Sequence, residues 1–239
     1  MNEHPATERA CHARALFALP AGDADPARRS SLRAARDAAK ALAELEPGDV
    51  AFLTGPSGCG KSTALRMLRR RCARHERAVV LPPAHLSRRR ATIDQVGSDL
   101  QGALRLLSAA GMAEASLLPR AAGALSTGQH ARLTIAAAMD RCTPDCVLLV
   151  DEFAAVLDRV TARSLASAIA KWCRTNKVSL VVSSAQDDTL EALRPDLLVV
   201  MPLPGDRPSP PTILARAPRG ADPWPKHCNA DSMNSHAHR

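Results

Sequence analysis

Residues 55–63, GPSGCGKST, place three glycines with a lysine, a serine and a threonine so that Gly55, Gly60, Lys61 and Ser62 satisfy G-x-x-x-x-G-K-[ST]. Glycines at those places let the backbone curl until successive N–H groups face one point. A helix starting there adds its positive end, and the combination suits phosphate. Lys61 is spaced to reach the β- and γ-phosphates of a triphosphate, Ser62 to offer its hydroxyl to Mg²⁺, and Thr63 to make a further phosphate contact. Pro56, Ser57, Gly58 and Cys59 complete the loop, with Cys59 at a variable position. A second pair of reactive groups follows the run VLLV, where Asp151 and Glu152 fall at the end of a strand, the place where ligands bind in open α/β sheets. Asp151 there suits Mg²⁺, usually through water, and Glu152 suits the orienting or deprotonation of an attacking water. ATP and Mg²⁺ are the ligands these two groups fit together.

Such residues need a scaffold that gathers strand ends. VAFLT at 50–54 is a short apolar run directly before the glycine loop, and KSTALRMLRRRCARHER after it has helix composition, so strand, loop and helix follow in the required order. AVVL at 78–81 predicts a second strand closed by Pro82 and Pro83, and CVLLV at 146–150, VSLVV at 178–182 and DLLVVM at 196–201 predict buried strands of the continuous apolar type. A helical stretch at 159–174 separates two of them. This alternation predicts an α/β P-loop NTPase with a parallel-sheet core covered on both faces. From about 84 to 141 the apolar spacing of QGALRLLSAAGMAEA and TGQHARLTIAAAMDRC is helical, which predicts an inserted helical subdomain within a domain spanning 31–201. Residues 1–30, broken by Pro5, Pro20 and Pro26, read as a disordered arm. The segment 202–239, with eight prolines between 202 and 226, reads as a disordered tail.

A chain of 239 residues has room for one principal core. Apolar residues make up 46% but aromatics only 2%, with no Tyr, so that core must be built from Ala, Leu and Val. The net charge of +8, almost all of it from Arg, attracts anions without choosing among nucleotides, nucleic acid and acidic membranes. Seven scattered cysteines point to a reducing compartment, the cytoplasm. No apolar run approaches the 18 residues or so of a membrane span and the N-terminus lacks signal-peptide character, so any span would come from another chain. Arg66, Arg69, Arg70, Arg74 and Arg77 share a helical face, with Arg88, Arg89 and Arg90 soon after. They form either a solvated face or a patch that tracks nucleic-acid phosphates; the lack of interleaved aromatics favours the first. Cys142 and Cys146 have no second pair nearby to make a zinc site, and His130 reads as a surface or core residue.

LSTGQ at 125–129 resembles the signature motif of ABC-type ATPases, usually LSGGQ, and stands 22 residues (151 − 129) before Asp151. Asp158 in AAVLD matches that family's D-loop, and residues 48–201 follow the ABC pattern throughout. A closer likeness, in DEFAAVLDRVTAR and DDTLEALRPDLLVV, is to soluble ABC-type ATPases, some fused to a predicted acetyltransferase domain for which this chain has no room. The resemblance implies hydrolysis of ATP to ADP and phosphate, in a head-to-tail homodimer whose conformational change moves a partner protein. Ser126, Gly128 and Gln129 would then serve the nucleotide of the other protomer. Three departures qualify it. Gln186 stands where the family has its switch His and carries no charge at neutral pH, which implies slow hydrolysis. The Q-loop Gln that couples to transmembrane partners is missing near Leu81, Pro82 and Pro83, and Gln95 comes too late. No Tyr stands upstream to stack on adenine, and Phe17 is too distant. The alternative is an ATP-gated binding or scaffold module with little turnover, possible partners including nucleic acid. A P-loop kinase would share the glycine loop but have no use for LSTGQ.

Overall fold

The computed structural model describes Arg9, residues 26–203 and residues 209–215. Helix α1 (Pro26–Ala43) leads to strand β1 (Val50–Thr54), the glycine loop and helix α2 (Lys61–Arg74), then to a short β2 (Val79–Val80). The middle of the chain holds α3 (Leu100–Ala109) and α4 (Thr127–Asp140), with single 3₁₀ turns at Ile93–Gln95, Ala115–Leu117 and Ala122–Ala124. After it come β3 (Val147–Val150), α5 (Arg159–Thr175), β4 (Ser179–Ser184), the single turn α6 (Leu190–Leu193), β5 (Leu197–Val200) and β6 (Thr212–Ala215).

The strands form one sheet in the order β2-β3-β4-β1-β5-β6, parallel except for β6. Continuous apolar strands are what two covered faces require, and alternate side chains go to opposite layers. Val50, Phe52, Leu148, Val150, Leu180 and Val182 pack toward α5 and the helical subdomain. Ala51, Leu53, Val147, Leu149 and Val181 pack toward α1 and α2. The second layer is thin because α1 presents Ala34, Ala35, Ala38 and Ala39 inward, all buried, so that the two helices lie close on the sheet. The α1 and α2 helices run parallel. Ser31 lies against Gly60 at one end, and the Arg77 guanidinium donates to the Leu45 carbonyl oxygen at the other, 2.8 Å away.

Two expectations from the sequence fail here. Residues 26–30 of the segment read as a disordered arm belong to helix α1, because proline in the first turn of a helix lacks only an N–H that has no partner there anyway. Inside the Pro-rich tail, Thr212–Ala215 forms an antiparallel edge strand on β5, in register from Val200 opposite Thr212 to Leu197 opposite Ala215. Pro211 stands just before it, where no ladder bond is needed. The rest of residues 1–25 and 204–239, Arg9 and 209–215 apart, lies outside the described residues. Arg77 is not part of the exposed basic face. Its guanidinium also donates to the Asp145 carbonyl at 2.9 Å and to Ser179 Oγ at 2.6 Å, which ties α1 to the starts of β3 and β4.

Candidate functional site

The site grows from the C-terminal ends of three neighbouring strands. Thr54, the last residue of β1, is in register with Ser184 of β4, and Val150 of β3 with Val182. The glycine loop, the acidic pair and the segment 184–186 therefore leave the sheet side by side. Gly55 has φ 141°, and a Cβ there would lie 2.8 Å from Met201 Cβ and 2.9 Å from its carbonyl oxygen, so only glycine fits. Gly58 and Gly60 are also left-handed, at φ 79° and 101°. Gly60 caps α2 without any side-chain acceptor, which leaves the first-turn N–H groups to other partners.

Lys61 Nζ lies over the loop, donating to the carbonyls of Gly55 at 2.7 Å and Pro56 at 2.9 Å. Cys59 is buried beneath it, while Ser57 and Ser62 are exposed and Pro56 and Thr63 half-buried. The loop is thus a concave set of backbone donors with one ammonium above it, and a phosphate group fits that donor set.

Asp151 and Glu152 leave β3 in a turn. Asp151 Oδ1 accepts from Ser183 Oγ of β4 and from the Glu152 backbone N–H at 3.1 Å. Motif spacing does not single out Ser183. It is a fully buried hydroxyl inside an apolar strand next to the loop strand, and a polar residue in such a run was the signal available. Glu152 sits at φ 51° and Ala154 at φ 61°, a left-handed conformation that holds the Glu152 carboxylate out in solvent. An oxygen ligand set of Ser62 hydroxyl and Asp151 carboxylate fits Mg²⁺, a hard cation that keeps several waters. Gln186 is exposed, with its backbone N–H donating to Ser184 Oγ at 3.1 Å, so the structure brings it to the same edge as the loop.

The signature segment opens α4. Ser126 and Gln129 form a capping box, in which the Gln129 N–H donates to Ser126 Oγ at 3.2 Å and the Ser126 N–H to Gln129 Oε1 at 3.0 Å. Gln129 is therefore engaged in holding the helix end, and the exposed Ser126 lies at that end. A Cβ on Gly128 would come within 3.0 Å of Leu157 Cδ2, so the helix start packs against the segment that leads to Asp158. Asp158 caps α5 by accepting from the Thr161 N–H at 2.9 Å, and its bonds to Thr161 hold its pKa below the ordinary range. Arg159 bonds Asp188 at 3.0 Å, which links this turn to the segment just after Gln186. Gln95 is engaged elsewhere, its amide donating to the Ser87 carbonyl at 2.7 Å. His130 is half-buried in a cleft with His85, Arg88 and Thr127. Among the described residues no group of three or more His, Cys, Asp or Glu is arranged to hold a metal ion, and no helix is long and apolar enough to cross a membrane.

The family described as ABC transporter matches residues 40–155. Among solved structures the chain is similar to the ATP-binding cassette MJ0796 in a dimeric post-hydrolysis state bound to ADP and Pi. That likeness has 18% identity, covers 66% of this chain and 83% of that one, and has a TM-score of 0.52. It is similar to a dimeric structure of MJ0796 described as a bacterial ABC transporter cassette, at 18% identity over the same shares and a TM-score of 0.51. A bacterial Atm1-family ABC exporter with ATP bound shares 18% identity over 65% of this chain and 32% of its own, with a TM-score of 0.51. At this identity the likeness is one of fold. A comparison with curated proteins finds no match.

Proposed function

We propose that the chain is an ATP-binding cassette of the ABC transporter ATPase family that binds and hydrolyses ATP, and that two copies close head to tail around the nucleotide and drive a change in a partner protein, a reading supported by the family match over residues 40–155 and by the shared fold. The observation that carries this reading is the convergence of strand ends, with Ser183 joining Asp151 to the strand beside the glycine loop. ATP would seat its phosphates in the backbone donors of 55–60, with Lys61 at the β- and γ-phosphates and Thr63 nearby. Mg²⁺, held by Ser62 and Asp151, would supply neutralisation of the phosphate charge. Glu152 takes a proton from water as its oxygen bonds to the γ-phosphorus. The bond to the bridging oxygen breaks, and ADP leaves with the electron pair. Gln186 donates a neutral hydrogen bond to the γ-phosphate.

Support for the dimer comes from the surface beside the signature segment. Val156 and Val160, on either side of Asp158, are 54% and 79% exposed, apolar side chains in a place where a second protomer would cover them. Ser126 and Gly128 would then face the γ-phosphate of the partner's ATP from a helix N-terminus. The finer kinship, with soluble ABC-type ATPases some of which carry an acetyltransferase domain, rests on the segments 151–163 and 187–200 alone.

One observation favours a second reading. Gln186 lacks the charge of a histidine, which suits a module gated by ATP with little turnover. Phosphate release by the wild type and by Gln186→His separates the two. A slowed enzyme turns over and speeds up with His; a module whose phosphate release stays at background in both proteins would refute the hydrolytic cycle.

A further inference from the structure

The chain's net charge of +8 is not spread evenly. Helices α1 and α2 together hold eleven Arg and Lys against Asp37 alone, a net +10, so the remainder of the chain carries −2. Their inward faces are buried on the sheet, and their outward faces carry Arg33, Arg36 and Lys40 on one helix and Arg66, Arg69, Arg70 and Arg74 on the other, all exposed. Arg28 and Arg29 extend the first row. Among the described residues none of Arg33, Arg36, Lys40, Arg69, Arg70 and Arg74 pairs with a carboxylate; the salt bridges there join Arg159 to Asp188, Arg163 to Glu191 and Arg174 to Asp196.

We propose that this two-helix face binds duplex nucleic acid through its phosphate backbone. The parallel helices, fixed by Ser31 against Gly60 and by Arg77 on Leu45, hold two stiff rows of cations, and helices in contact lie about 8–10 Å apart. That spacing is comparable to the grooves of B-DNA, about 6 and 12 Å wide, whose rims are the phosphate rows. Eight of the nine exposed Arg and Lys residues along the rows, from Arg28 to Arg74, are Arg, the residue whose planar fork bonds phosphate oxygens in pairs. Aromatic side chains for stacking on unpaired bases are missing from both helices, which argues against single strands. A bilayer surface would need large apolar side chains on the outer face, whereas among the described side chains of α1 and α2 the large apolar ones are buried, apart from the marginally exposed Leu32 and the half-buried Met67. The face lies on the side of the sheet opposite the helical subdomain, so a duplex held there leaves Ser126 and Gly128 open. The inference is independent of the ATPase reading.

The test uses the full chain with a labelled mixed-sequence duplex of about 20 base pairs, followed by fluorescence anisotropy from about 50 to 200 mM salt. The wild type should bind at low salt. The variant Arg33→Ala, Arg36→Ala, Arg69→Ala and Arg70→Ala should lose about 100-fold in affinity and about four units of the salt slope, with unchanged thermal melting and basal ATPase. A control of equal charge, Arg88→Ala, Arg89→Ala, Arg105→Ala and Arg120→Ala, should retain most of the affinity, and Arg-to-Lys replacements in the rows should keep the salt slope. No binding by the wild type at low salt, an equal loss in the control, or capture by anionic phosphatidylserine vesicles with no binding to the duplex would each overturn the proposal.

Discussion

At the scale of single residues the account rests on where charge and backbone conformation coincide. Glu152 is held at φ 51° with its carboxylate in solvent, one position after the carboxylate that Ser183 fixes. Glu152→Gln keeps the shape and removes the base, so steady-state phosphate release should fall by about 10²–10⁴-fold while ATP binding persists. Gln186→His should act in the opposite direction and raise turnover, read in the same assay, because a histidine at this edge can carry charge toward the γ-phosphate. Ser183→Ala should leave the sheet intact and lower turnover with little change in ATP binding, since it frees the Asp151 carboxylate without touching the loop. Recovery with Ser183→Thr would mark a positioning role rather than a packing one. Gly55→Ala should damage both stability and ATP binding, because φ 141° and the Met201 contact at 2.8 Å exclude a side chain.

At the scale of elements, what the sequence made legible was what periodicity and motif spacing encode. The strands after the glycine loop, the helical subdomain and the glycine loop itself follow from apolar runs and from Gly55, Gly60 and Lys61, and the observed strands fall within a residue or two of the expected bounds. What stayed hidden depends on partners distant in sequence. Ser183 gains its role only because β4 lies between β3 and β1, and Arg77 has the look of surface charge because its three acceptors, Leu45 just after α1, Asp145 just before β3 and Ser179 in β4, are distant in sequence. β6 was hidden by composition: four residues among prolines show no period, and only the open edge of β5 orders them. Pro26 has the character of a breaker, but its position makes it a helix start. The α4 start offers a test at this scale. Ser126→Asp keeps an N-cap acceptor, so thermal stability should hold, whereas Ser126→Ala should cost about 1 kcal/mol in chemical denaturation. Asp at 126 should also abolish ATP-dependent association by setting an anion against the partner's γ-phosphate.

At the scale of the whole molecule, the sheet divides two kinds of surface. One side carries the helical subdomain, with Ser126 and the exposed Val156 and Val160; the other carries the basic rows of α1 and α2. A protein built this way can close on a second copy through the first surface while the second stays accessible. The central claim is that ATP closes two copies around the glycine loops, and sedimentation of Glu152→Gln with rising ATP and Mg²⁺ addresses it most directly. The protein should sediment as a monomer without nucleotide and at twice that mass with ATP, and should remain monomeric once Ser126→Asp is added. A Glu152→Gln protein that binds ATP yet stays monomeric at saturation would contradict the account.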